Sequence, residues 1–526
     1  MKLKLLKKTA SAVALFVFAG MLTSCNKTEI ASDKQELTGA SKKDEQSSIL
    51  STIYYVATTG NDSNTGTSLA TPFKTIQKAL NTAAAGSTIY VRGGTYYERL
   101  NWVNSGTVGA HITLSNYSGE VVNLDGSLPS VQDAMILISN KSYLTVVGLN
   151  IRNNYRAYAK GIHILGSGTS LAIGSCKIYN IGWHTSKTAY PSPTDQANPF
   201  VIVGSGASSY NNIYIGGLEI YDCVTGYSEC LTLNGNVDNF TIENNNIHDN
   251  TNIGIDVAGH YSWTGAPAAV NQVRNGVIRN NTVTNCVSQV AVSAGIYSDG
   301  AANVIIERNK LSRNGCGISL GCENTSKTSS NITVRNNFVY NNIKAGIVVG
   351  ANASGSKVDY SSVNNNTFFK NCSDGLYGGE IHYQHADHIT QKNNIIQSRS
   401  NVVIIALSGY SATNLTMDYN MYYTLSGSSG TITFDGIGGT GYYSLATFKS
   451  GTGKDINSNY YNPLFVNNSL PNPDLHLSST SPAINSGDPS FVIGAGELDI
   501  DGGTRLLNGR VEKGADEITS TRPPTL

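Results

Sequence analysis

Hydrophobic and polar positions recur along this chain in one short phrase, written ten times between residues 147 and 423. Each copy has one or two apolar residues, a polar pair that often includes Asn, and then a hydrophobic residue. The copies read VVGLNI, IGSCKI, YIGGLEI, TIENNNI, VIRNNTV, IIERNKL, TVRNNFV, SVNNNTF, TQKNNII and TMDYNMY. Aligned, they stack Asn245, Asn281, Asn309, Asn337, Asn366, Asn394 and Asn420, with Leu149, Cys176 and Leu218 in the same slot earlier. The usual step is 26 to 29 residues, with longer steps of 42 and 36. A fixed period of this length predicts a solenoid in which each coil buries its apolar face against its neighbours.

Each coil carries a second strand, usually after a glycine: GIHILG, CLTLNG, GIDVAG, GIYSDG, GISLGC, GIVVGA and EIHYQH. Strand side chains alternate, so with Ile162, Leu231, Ile255, Ile296, Ile318, Ile347 and Ile381 inside, the next residue faces outward. That row reads His163, Thr232, Asp256, Tyr297, Ser319, Val348, His382. A second outward row reads Leu165, Asn234, Ala258, Asp299, Gly321, Gly350, Gln384, with His260 and Glu323 just beyond. Coils lie about 4.8 Å apart, so Asp256, Tyr297, Asp299, Glu323 and His260 are expected on one stretch of one face. His382 falls two or three coils further along. Small residues there (Ala258, Gly321, Gly350) leave a shallow floor, and insertions at 181–199 and 260–271 bring Trp183, Tyr190, Tyr261 and Trp263. Such aromatic rings suit sugar faces. The plain alternative is ordinary solvated decoration of a solenoid.

Only 14% of residues are charged and the formal net charge is zero, which argues against nucleic acid as partner. At the start, Lys2, Lys4, Lys7 and Lys8 precede an apolar run, Ala10 to Met21, and then Leu22-Thr23-Ser24-Cys25. This pattern predicts an export signal. Its ending resembles a bacterial lipobox, which implies lipidation of Cys25 and a protein that sits on a membrane without spanning it. Residues 26–52 read as a polar tether. The other cysteines show no zinc spacing and are expected as buried small hydrophobes, with a Cys223–Cys230 disulfide as an alternative.

Tyr54-Tyr55-Val56-Ala57-Thr58-Thr59-Gly60-Asn61-Asp62, Pro72-Phe73-Lys74-Thr75-Ile76 and Gly86-Ser87-Thr88-Ile89-Tyr90-Val91 open the array. Asn462-Pro463-Leu464-Phe465, Ser481-Pro482-Ala483-Ile484 and Gly514-Ala515-Asp516-Glu517 close it. Together these segments resemble bacterial right-handed parallel β-helix proteins of the pectate-lyase-like superfamily. The resemblance implies an all-β fold, a right-handed parallel β-helix over 53–424 with C-terminal coils and a loop-rich cap over 425–526. It also implies action on a polysaccharide, and together with the N-terminal pattern a monomer of the bacterial cell envelope, lipid-anchored or secreted, is expected.

Two branches of the superfamily bear on the reaction. Family 9 polysaccharide lyases carry an Asp-Asp-Gly-x-Asp calcium motif and a Lys base; here Asn252-Ile253-Gly254-Ile255-Asp256 keeps only the last Asp, and no Lys occupies the outward rows of the coils just after it. β-Helical glycosidases resembling β-xylosidases place an Asp and a Glu on consecutive coils, as Asp299 and Glu323 do here, 24 residues apart. The superfamily puts β-elimination narrowly first. In that reading Asp256, Asp299 and Glu323 hold Ca²⁺ and His260, His382 or Tyr297 acts as base. Hydrolysis by Asp299 and Glu323 comes second and non-catalytic glycan binding third. His163, Asn234, Trp263 and Gln384 are the expected substrate contacts.

Overall fold

The computed structural model describes residues 51–518, apart from 377, 401, 408–410, 425–433 and 436–440. Cys25 and the export signal lie outside the described residues. From Ile53 onward the chain winds into a parallel β-helix whose coils each contribute a strand to three long sheets. One coil is Leu231–Gly235, Val237–Glu243 and Asn246–Thr251; the next is Ile255–Ala258, Arg274–Arg279 and Thr282–Val287. The pairing is parallel and in register, so Leu231, Ile255, Ile296, Ile318, Ile347, Ile381 and Ile405 form one continuous stack. All of them are buried. Each such side chain contributes about 1.5–3 kcal/mol through burial.

The repeated phrase is a corner rather than a strand. Arg274–Arg279 ends one strand, Asn280 turns with φ at +55°, Asn281 follows, and Thr282 begins the next strand. The same left-handed residue precedes the slot at Asn244, Asn336, Asn365 and Asn393. Asparagine tolerates that conformation because its short polar side chain bonds locally, which explains the first Asn of each pair. The second Asn points inward. The main-chain N–H and the Nδ2 of Asn281 both donate to Oδ1 of Asn309 (3.0 Å each), and Nδ2 also donates to the Ile242 carbonyl. Asn309, Asn337, Asn366, Asn394 and Asn420 repeat this hand-to-hand pattern. Corner groups that no sheet can satisfy are thereby paired inside the core. A parallel ladder at the next corner, Asn314–Asn342–Asn371, ends on the buried Glu380, whose carboxylate accepts both Asn371 donors.

The structure amends the sequence reading in several places. A strand at Asn198–Gly204 pairs between His163 and Thr232, so Val201 belongs in the outward row; it is the first strand of the Leu218 coil, and the insertion at 183–197 before it accounts for the 42-residue step. The outward rows face away from the core yet are not solvated throughout, since Thr232, Asp256, Val348 and His382 are buried beneath covering loops. Beyond residue 440 the expected loop-rich cap contains a helix, Leu445–Thr452, held by a Ser444 capping box. The last residues run back along the coils, where Glu497 bonds Arg335, Asn336 and Asn365 and Asp488 pairs with Lys392. All seven described cysteines are buried and free, which removes the Cys223–Cys230 alternative.

Asn309→Ala should lower stability by about 3 kcal/mol, because Asn281 and the Ile278 carbonyl lose buried partners. Asn331→Asp, at an exposed left-handed position within the strand Thr328–Arg335, loses only a surface bond to Asn303 and should cost no more than about 1 kcal/mol. Chemical denaturation followed by circular dichroism reads both; an unchanged midpoint for Asn309→Ala would show that the ladder does not hold the coils.

Candidate active site

The strands that follow each Gly form the sheet that carries the site. Chain insertions flank this sheet at both strand ends. Residues 222–230 lead into Leu231–Gly235, and residues 259–273 leave from Ile255–Ala258. Within the sheet, Thr232 lies beside Asp256, Asp256 beside Tyr297, and Tyr297 beside Ser319. Two residues on, Asn234 lies beside Ala258, and Asp299 lies beside Gly321. Gly321 is required here: a Cβ would stand 2.8 Å from the Tyr297 hydroxyl, whose ring lies across the next coil.

Asp299 and Glu323 are joined by a third group that the carboxylate pattern did not single out. The hydroxyl of Tyr261, from the 260–271 insertion, donates to Oδ2 of Asp299 at 2.5 Å and lies 3.2 Å from Oε2 of Glu323. The Glu323 main-chain N–H donates to Oδ1 of Asp299 at 2.8 Å, and the Tyr297 hydroxyl lies 3.4 Å from Oε1 of Glu323. Asp299 is therefore held at both oxygens and is 2% exposed, whereas Glu323 is exposed. Burial, reinforced by the Glu323 charge, pushes Asp299 up to about 7. Burial raises Tyr261 and Tyr297 as well, with Asp299 the nearest contributing charge. Both phenols remain protonated donors.

A further carboxylate was not legible from the strand rows. Glu229 is half-buried, precedes the strand by two residues, and accepts a hydrogen bond from the Thr232 hydroxyl at 3.1 Å. Burial pushes it up to about 7, and Glu323 adds to the effect. Asp256 is raised by burial and then by Glu229, Asp299 and Glu323. The charges that raise these three groups are all carboxylates. Its place on a lead-in turn hid Glu229, since alternation assigns faces only within strands.

The other expected residues separate from this centre. His260 turns toward the Thr328 carbonyl and Gln272, at 3.4 and 3.3 Å, and burial lowers its pKa; it anchors the insertion rather than facing the carboxylates. His382 lies three coils from Tyr297, under Gly378, and Gln384 shares that coil. His163 lies four coils the other way, its pKa lowered to about 4 by burial and Lys160. His382 and Gln384 are about 14 Å from the centre and His163 about 19 Å, so they can meet only remote parts of a long chain. Trp263 is 63% exposed with its ring 6.3 Å from that of Tyr261, so it stands at the mouth of the site. Trp183 packs instead against Gly226 and the core, away from the carboxylates.

The expected calcium set does not fit as arranged. Among the described residues, the groups whose ligand atoms gather closely enough for a metal are Asp359–Asp387–His388 and His476–Asp501–Asp516. Asp256, Asp299 and Glu323 form no such group, and both Asp299 oxygens already accept hydrogen bonds.

Comparison with known proteins accords with this architecture. The family description "Pel9A-like, right handed beta helix region" matches residues 54–212, and "Right handed beta helix region" matches 260–396. The chain belongs to the pectate-lyase-like right-handed β-helix family. Within it, the protein YwoF of Bacillus subtilis (strain 168) is 31% identical over 447 residues, 82% of this β-helix chain and 91% of its own. Pectate lyase PEL9 of Emericella nidulans is 35% identical over 127 residues, 21% of this chain and 31% of its own. The GH136 lacto-N-biosidase from Eubacterium ramulus shares the fold at a TM-score of 0.52 and 13% identity, over 71% of this chain and 68% of that one.

The Tyr261 hydroxyl stabilises ionised Asp299, so removing it should raise the Asp299 pKa further. Carbon-13 NMR of labelled aspartate should find an Asp299 carboxyl titrating near 7 and moving up in Tyr261→Phe. Because Asp299 and Glu323 interact, the midpoint belongs to the pair. A carboxyl titrating in the ordinary range near 4 would contradict the burial and coupling described.

Proposed function

We propose that this protein is a polysaccharide-active enzyme that hydrolyses glycosidic bonds with Asp299 and Glu323. The observation that carries this reading is the carboxylate pair bridged by one Tyr261 hydroxyl. A hydroxyl in reach of both holds the two oxygens less than about 6 Å apart, below the ~6.5–9.5 Å that leaves room for an attacking water. That separation belongs to the double-displacement route.

The two environments divide the labour. Asp299, buried and raised to about 7, carries the proton and gives it to the departing glycosidic oxygen. Glu323, the exposed partner, attacks the anomeric carbon and forms a glycosyl ester. Asp299 then takes a proton from the water that hydrolyses the ester. The cycle needs one proton on the pair, which burial of Asp299, reinforced by the Glu323 charge, favours near neutrality. Tyr261 steadies Asp299, and Trp263 offers a face for a sugar ring at the mouth.

β-Elimination is the second reading, favoured by the Pel9A-like match over 54–212 and the local identity with pectate lyase PEL9. It lacks a base at the centre: His260 faces away, and the phenols of Tyr261 and Tyr297 are held protonated. Export and lipid attachment at Cys25 complete the proposal, because a polymer too large to enter the cell must be met outside.

Incubating the protein with neutral and uronate polysaccharides, with and without a chelator, separates the readings. New reducing ends without ultraviolet absorbance of an unsaturated uronate, unaffected by chelation, are the expected result. Asp299→Asn and Glu323→Gln should each lower kcat by at least about a thousandfold. Absorbance rising with reducing ends, abolished by chelation, would establish elimination instead.

A further inference from the structure

Beside the carboxylate pair the sheet leaves a small recess with unused acceptors. Asn234 and Asp299 stand two coils apart in the same row, and only the methyl group of Ala258 lies between them. Asp256 lines the recess from the neighbouring row and Glu229 closes it from the lead-in side, through Thr232. Oδ1 of Asn234 and Oδ1 of Asp256 are both buried without a hydrogen-bond partner, in side chains only 4% and 5% exposed. Buried acceptors without donors are costly, about 1–3 kcal/mol each, unless something brings donors to them. Thr264 of the insertion sits over Gly235, next to Asn234.

A sugar ring brings a fan of hydroxyl donors. A uronate brings a carboxylate, and no described lysine or arginine pairs with Glu229, Asp256, Asp299 or Glu323 to receive it; Glu229 and Asp299, raised to about 7, are ionised above that pH. There even a single like-charge contact at about 5 Å costs more than a tenfold loss of binding at an effective dielectric near 20.

We propose that Asn234, Asp256 and Glu229 form the sugar subsite adjoining Asp299 and Glu323, and that they restrict the enzyme to uncharged glycans. This rests on the hydrolase reading for its chemistry, but the recess can be tested by binding alone. Asn234 and Asp256 accept from ring hydroxyls, and Glu229 sets the sign of the field that turns uronates away.

Isothermal titration at pH 8, where Glu229 is ionised, of the full chain carrying Asp299→Asn tests this without turnover. The probes are neutral oligosaccharides of glucose, xylose, galactose and mannose, and oligogalacturonates and oligomannuronates alongside their carboxyl-reduced counterparts. At least one neutral series should bind, and each carboxyl-reduced oligomer should bind at least about tenfold tighter than its uronate parent. Adding Asn234→Ala should weaken the neutral ligand about tenfold, and adding Glu229→Gln should narrow the neutral–uronate gap. Uronates binding as tightly as their reduced counterparts would overturn the proposal, as would an Asn234→Ala variant with unchanged affinity, which would mean water alone fills the recess. Binding of no sugar would overturn it too. Neutral glycans that bind as described but are never hydrolysed by the unsubstituted protein would refute the hydrolase reading and leave the subsite standing.

Discussion

A left-handed corner residue followed by an inward asparagine holds successive coils in register, and everything else in the molecule follows from that alignment. A parallel solenoid has corners where main-chain groups leave the sheets, and a buried corner without partners would be costly. The chain answers with Asn281, Asn309, Asn337, Asn366, Asn394 and Asn420, each accepting from the coil before and donating to the coil after. Because each side chain fits only one neighbour, a one-residue slip would strand the whole ladder and turn the Ile255–Ile405 stack outward.

Register is also what makes a site. Asp299 and Glu323 are 24 residues apart in sequence, yet stacking brings them to neighbouring coils, where the main-chain N–H of one bonds the carboxylate of the other. The insertion at 260–271 then lowers Tyr261 onto both. Burial raises the affinity of Asp299 for a proton, and the Glu323 charge beside it adds to the rise. A rigid sheet therefore supplies position and a loop supplies the donor that tunes it. The division resembles that of many enzymes, in which function rides on loops fixed by a stiff frame.

Much of this was legible in the sequence for a physical reason: period, alternation and coil spacing are geometric. They predicted the β-helix, the stacked asparagines, and the meeting of Asp256, Tyr297, Asp299 and Glu323. They failed where the chain leaves the strands. Glu229 sits on a turn, Tyr261 reaches back from an insertion, and His260 adopts a left-handed backbone that swings its ring toward Thr328. The strand Asn198–Gly204 was missed, although the corner of its coil at Leu218 was not, because it follows an insertion and begins Asn-Pro where the other strands usually follow a glycine. Alternation also says which way a side chain points, not whether something covers it, so His382 and Gln384 read as open when both are buried.

The most direct test of the account is the stereochemistry of the first product, followed by proton NMR of the anomeric signal in early turnover of a neutral glycan. Carboxylates held this close, with no room for water between them and the sugar, predict a product of the same anomeric configuration as the substrate bond. Inverted product, or an unsaturated sugar with no hydrolytic anomer at all, would contradict the assignment of Asp299 and Glu323 as a double-displacement pair.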